Sequence, residues 1–244
     1  MDNLFARPIL LDGATGTELY KRGMPQGACT EAWILEHPQE LVDLQRSYVD
    51  AGAMVLTAPT FGAADNVEEN YRALVALSRQ ASGGRALVAG DIGPGGDSPA
   101  VRAAALKAAG VDLYLIETML SVEEAAAAVK SVRAEEPQKP VLVTFYPHAG
   151  LDTVEAYSAM AALKVDAFGF NCAPPDVILG HLERLAPQAA IPLLAMPGCE
   201  GPAPTDILAR HAQKFFALGV CYFGGCCGTD CAMLRELRRT LNRS

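Results

Sequence analysis

Short runs of apolar and β-branched residues alternate along this chain with longer stretches whose apolar positions recur at helical spacing. The runs at 9–12, 54–57, 86–91, 113–117, 141–145, 167–171, 193–196 and 220–224 read as strands. The stretches at 38–51, 66–81, 99–109, 122–134, 154–163, 176–186, 204–218 and 231–241 read as helices. Strictly alternating strand and helix predicts βαβ units and a parallel sheet. A doubly wound open sheet is the alternative, but such sheets usually have about five or six strands. Eight strand–helix pairs favour closure into a single (β/α)8 TIM barrel, and 244 residues is close to the ~250 typical of that fold. Residues 1–244 are therefore expected to form one barrel domain, with no linker, low-complexity tract or second domain.

Polar and reactive residues fall where the predicted strands end: Asp12, Thr57, Asp91, Glu117, Thr144, Cys172 and, just past the eighth strand, Cys226 and Cys227. In a barrel these ends meet on one rim, the rim that holds the active site. Cys172 closes the sequence Phe170-Asn171-Cys172, and Cys226-Cys227 lie between Gly225 and Gly228, which permit the dihedrals that turn both thiols toward one ion. Three thiolates gathered at a barrel mouth would hold zinc with its fourth position open, the layout of a catalytic metal. Cys29, Cys199, Cys221 and Cys231 read instead as small buried hydrophobes.

The first predicted strand opens into Asp12-Gly13-Ala14-Thr15-Gly16-Thr17, a Gly- and Thr-rich turn whose backbone amides could receive a carboxylate or phosphate. It lacks the spacing and lysine of a Walker loop and is not GxGxxG, so nucleotide binding is not supported. Taken alone it reads as an ordinary strand-to-helix turn; Asp12 shifts the balance toward function. Glu117 suits either a structural ion pair or a substrate ammonium, and Asp91 either a turn cap or a place in the site. His37 and His181 read as surface residues, His148 as a rim residue, and no hydrolytic triad can be picked out.

Composition narrows the partners. The net charge is −8 without any basic cluster, so neither nucleic acid nor an anionic membrane surface is expected as a partner. No uninterrupted apolar run reaches the ~18 residues of a membrane span, and the N-terminal residues lack a secretory pattern. Seven cysteines, two of them adjacent, fit reduced thiols or metal ligands better than a disulfide framework, which predicts a cytoplasmic location.

With these motifs together, the chain resembles the zinc-dependent homocysteine S-methyltransferases. That family includes the homocysteine-binding module of cobalamin-dependent methionine synthase, betaine–homocysteine methyltransferase and the S-methylmethionine or S-adenosylmethionine enzymes. The matching pieces are the turn at 11–19, Glu36-His37-Pro38, TAPTFG at 57–62, GDIGP at 90–94, IET at 116–118, Asn171-Cys172 and GGCCGT at 224–229. The resemblance implies a TIM barrel that binds Zn²⁺ through Cys172, Cys226 and Cys227 and methylates homocysteine to methionine. It further implies that Asp12 and Glu117 grip the substrate ammonium, that the amides of Gly13, Ala14, Thr15, Gly16 and Thr17 receive its carboxylate, and that Thr60 and Phe61 line the pocket near the metal. The implied donor is S-methylmethionine, S-adenosylmethionine or a separate methylcobalamin protein. Alternatives are methylation of another thiol or selenol, and a zinc-holding scaffold whose fourth ligand is Cys199 or His148.

Several features depart from the family pattern. The chain is shorter than most members by roughly fifty residues, and 195–201 replaces an Asn-Ala-Gly-like turn. Gly62 stands where betaine enzymes carry an aromatic, and Trp33 does not align with their loop tryptophan. A quaternary ammonium needs such rings, so betaine is disfavoured.

Overall fold

The computed structural model describes residues 8–62, 66–199, 201 and 203–241. In chain order the elements are β1 Ile9–Leu10, α1 Gly16–Lys21, α2 Thr30–Glu36, α3 Pro38–Ala51, β2 Val55–Thr57, α4 Val67–Ser82, β3 Leu87–Ile92, α5 Pro99–Ala109 and β4 Leu113–Met119. They continue with α6 Val122–Glu135, β5 Val141–Phe145, α7 Thr153–Ala162, β6 Ala167–Asn171, α8 Pro175–Leu185, β7 Leu193–Met196, α9 Ile207–Ala217, β8 Val220–Phe223 and α10 Cys231–Leu241. The strands form one parallel sheet in the order β1-β8-β7-β6-β5-β4-β3-β2. It closes where Leu11 bridges Val55 in parallel and the Met54 amide donates to the Leu10 carbonyl at 2.7 Å. This is the expected (β/α)8 TIM barrel.

Strand residues are apolar on both faces because both are covered, which is why they read as runs rather than as alternation. Ile9, Leu11, Val55, Ala89, Leu115, Leu142, Leu194 and Tyr222 fill the barrel interior. Their neighbours Leu10, Leu56, Val88, Ile116, Val143, Phe168, Phe170 and Phe223 pack outward against the helices. The helices begin and stop on local signals. Ser98, Ser121 and Asp152 accept amide hydrogens at the starts of α5, α6 and α7, and Gly52 and Gly110 adopt left-handed C-caps after α3 and α5.

Four elements differ notably from expectation. β1 is shorter than 9–12, and α1 and α2 are helices that the apolar spacing did not predict. β4 runs two residues past Glu117, so Glu117 sits inside the strand rather than at its end. Among the described residues, no helix is long and apolar enough to cross a membrane.

Candidate active site

The cysteine loops are built first by backbone. Cys172 follows β6 with a left-handed φ of 57°, a conformation a non-glycine residue holds only under surrounding constraint, and its amide donates to the Met196 carbonyl at 3.1 Å. After β8, the Gly225 amide donates to the Asp12 carbonyl at 3.0 Å, the Cys226 amide to Pro197 at 2.8 Å and the Cys199 amide to Cys227 at 2.7 Å. Gly228 has φ +77°, and a Cβ there would overlap the Cys199 carbonyl, so the turn requires glycine. Gly13 is equally constrained, since a Cβ would lie 2.7 Å from the Thr229 carbonyl.

These loops bring Cys172, Cys226 and Cys227 together, with their sulfurs all within 4.8 Å of one another. Cys227 Sγ lies 4.0 Å from Cys172 Sγ, while Cys172 and Cys226 are joined as a disulfide with Cα atoms 5.3 Å apart. The sequence led us to expect reduced thiols. Sulfurs this convergent are within bonding reach of one another as well as of one ion, so the reduced trio is the form able to bind a metal. A tetrahedral site with Zn–S near 2.3 Å separates its sulfurs by about 3.8 Å, close to the 4.0 Å between Cys172 and Cys227, and Cys226 reaches such a position once its bond to Cys172 is reduced. Neither Cys199 nor His148 joins the cluster among the described residues. The Cys199 amide braces the Cys227 loop, and both ring nitrogens of His148 are engaged, with the Leu120 carbonyl at 2.9 Å and the Gly150 amide at 3.2 Å.

Beside the sulfurs opens a cavity of about 360 Å³ lined by Asp12, Phe61, Asp91, Glu117, Cys172 and the turn from Gly13 to Thr17. Asp12, 1% exposed, accepts from the Thr57 amide at 2.8 Å and the Thr57 hydroxyl at 2.9 Å. Burial nonetheless pushes its carboxyl up to about 7, with nearby Glu117 adding to the rise against the Thr57 hydrogen bonds. Glu117, 8% exposed, accepts from Asn171 Nδ2 and is hydrogen-bonded to Asp91. Burial, above all, raises the carboxyls of both Glu117 and Asp91, and in Asp91 the charge of Glu117 adds to it.

Sequence reasoning missed what orients these groups. The pairing register of β4 on β5 shifts between Ile116 and Met119, where Thr118 takes φ 58°. Such a bulge re-aims side chains, here Glu117 and Thr118 toward β6. Asn171 then donates to Thr118 Oγ1 at 2.7 Å and accepts the Thr118 amide at 3.0 Å, locking the two strands at the site. Tyr48, buried on α3, donates to the Ala14 carbonyl at 2.6 Å. The Ala14 amide is itself engaged by the Thr229 carbonyl at 2.9 Å, which takes it out of the expected set of carboxylate donors. Phe61, 38% exposed, does line the cavity. Thr60, expected beside it, is fully buried behind the wall, and its hydroxyl donates to the Asp91 carbonyl at 2.9 Å.

Comparison with known proteins follows the same lines. The family model described as homocysteine S-methyltransferase matches residues 9–241. Methionine synthase of Mycobacterium tuberculosis is 28% identical over 297 aligned residues, covering 97% of this chain and 25% of its own length. The S-methylmethionine–homocysteine S-methyltransferase of Pongo abelii is 27% identical, covering 96% of this chain and 78% of its own. The solved homocysteine methyltransferase of Escherichia coli in its metallated form shares the fold, with a TM-score of 0.84 at 24% identity over 98% of this chain and 96% of that one. The chain spans about a quarter of the length of the methionine synthases it matches.

Proposed function

We propose that this chain, which belongs to the homocysteine S-methyltransferase family, moves a methyl group from a donor to the thiol of homocysteine in a zinc-dependent reaction that yields methionine. The convergence of Cys172, Cys226 and Cys227 beside a cavity walled by buried carboxylates carries this reading. The three cysteines would hold Zn²⁺, three soft sulfur donors that leave a fourth position open. When bound, the ion would supply a thiolate at neutral pH, where a free thiol of pKa ~8.5 is mostly protonated and a poor nucleophile.

The remaining work falls to the protein's own groups. Asp12 and Glu117 would take the substrate ammonium, each held in place by Thr57 or Asn171 before the ligand arrives. Amides of the turn from Gly13 to Thr17, Ala14 excepted, would receive the substrate carboxylate. Fixing both ends of the amino acid aims its sulfur, which is the main gain available to an in-line displacement. The sulfur forms its bond to the donor methyl as the bond to the leaving group breaks, and a sulfonium donor departs as a neutral thioether. Phe61 and the buried carboxylate of Glu31 also line the cavity and suit a compact cationic donor. The Pongo abelii relative, named for S-methylmethionine, supports trying that donor first. A reducing compartment such as the cytoplasm would keep the trio available for metal.

The test is a methyl-transfer assay with reduced, zinc-loaded protein and homocysteine, offering S-methylmethionine, S-adenosylmethionine, betaine and methylcobalamin in parallel. Methionine is expected with a sulfonium donor and should vanish in Cys226→Ala and Cys227→Ala. No methionine from any donor would sink the reading. Zinc-edge absorption adds an independent check: homocysteine should bring in a sulfur as fourth ligand, whereas an unchanged shell of four protein ligands would mark a scaffold.

A further inference from the structure

We propose that Asp91 is the third wall of the ammonium site and a specificity-determining residue that selects an α-amino thiol over a thiol lacking the amine. This rests on the homocysteine reading above and names a group that reading leaves unused. Asp91 lies near the end of β3, is 3% exposed and lines the cavity with Asp12 and Glu117. Its carboxyl is paired with that of Glu117, and no N–H or O–H of any other described residue donates to its buried Oδ1. Buried polar atoms are nearly always satisfied, so an orphan acceptor at a cavity wall calls for a donor from outside the protein.

The surrounding structure keeps that acceptor in place and denies it a donor. Thr60 brackets the Asp91 backbone: the Asp91 amide donates to Thr60 Oγ1 at 2.9 Å, and the Thr60 hydroxyl donates to the Asp91 carbonyl at 2.9 Å. Arg102, whose charge reaches Asp91, directs its donors elsewhere. Its Nε donates to Tyr71 at 3.0 Å, and its terminal nitrogens donate to the carbonyls of Gly93, Gly95, Thr60 and Phe61. Among the described residues, no salt bridge reaches Asp12, Asp91 or Glu117. An ammonium carries three N–H donors, and Asp12, Asp91 and Glu117 line one cavity whose lining, among the described residues, includes no lysine or arginine.

The experiment compares homocysteine with 4-mercaptobutyrate, which keeps thiol and carboxylate but lacks the amine. Calorimetric titration into reduced, zinc-loaded wild type, Asp91→Asn and Asp91→Ser should show wild type preferring homocysteine. Both variants should keep zinc and lose about tenfold or more in homocysteine affinity, the worth of a hydrogen bond to a charged group. Their affinity for 4-mercaptobutyrate should stay within about twofold of wild type, since that ligand makes no such bond. A variant that binds homocysteine like wild type, or loses both ligands in step, overturns the proposal. So does loss of zinc in both variants, which would make Asp91 a support of the rim. Wild type binding neither thiol would instead sink the homocysteine reading itself.

Discussion

At the scale of residues, the site gathers three buried carboxyl groups, Asp12, Asp91 and Glu117, around one cavity. Asp12, its carboxyl raised from an ordinary 3.8 to about 7, holds a proton in the folded chain over a range where the unfolded chain has released it. The folded state therefore binds more protons between those values, so stability falls as pH rises through that window. About three units at 1.36 kcal/mol each sets an upper scale of roughly 4 kcal/mol for Asp12 alone. Asp91 and Glu117 shift in the same direction. For the reduced, metal-free chain, urea denaturation should give a lower midpoint at pH 8 than at pH 5. Asp12→Asn should flatten that dependence whatever it does to the absolute midpoint, because the amide does not titrate. A wild-type midpoint that rises over the same range would contradict the burial argument. Homocysteine should partly restore stability at pH 8, since its ammonium supplies the charge the cage lacks.

At the scale of elements, α5 has a function its sequence conceals. Arg102 rises from its first turn into the space between the loops after β2 and β3 and ties four of their carbonyls together. Those loops carry Phe61 and follow Asp91, so one guanidinium sets the cavity wall. Arg102→Met should cost at least about 3 kcal/mol, because buried acceptors lose charged donors that methionine cannot replace. Arg102→Lys should recover only part, since a single ammonium cannot reproduce the planar fork. Equilibrium unfolding checks both, and a loss within about 1 kcal/mol for the methionine variant would refute the clamp. Nothing in Val101-Arg102-Ala103 announces this, because an arginine in a helical pattern reads as solvated. The strands were legible since burial on both faces leaves only apolar residues such as Val141-Leu142-Val143. The helices α1 and α2 were not, being too short to display a helical period. The Cys226-Cys227 pair was legible through its flanking glycines. The bulge at Thr118, the role of Asn171 and the inward turn of Thr60 were not, because each is decided by a neighbouring strand rather than by adjacent residues.

At the scale of the molecule, the barrel separates what holds it together from what it does. Two apolar layers, one inside the sheet and one between sheet and helices, account for the packed interior. The cysteines sit on loops past β6 and β8, half-buried or exposed, outside both layers. A small zinc domain without such layers unfolds when its metal leaves, whereas here the core is complete without it. Metal should then stabilise only by mass action, about 4 kcal/mol when free zinc is near 1,000 times its dissociation constant. For a domain of this size each 1 kcal/mol moves Tm by about 2–4 °C, so chelation should lower Tm by roughly 8–16 °C. The far-UV circular dichroism at 20 °C should be unchanged, and melting should stay cooperative. Cys227→Ala should match the chelated wild type in Tm and gain nothing from added zinc. If chelation instead abolishes the cooperative transition, the ion is part of the scaffold, and the division between an apolar barrel and a reactive rim does not hold.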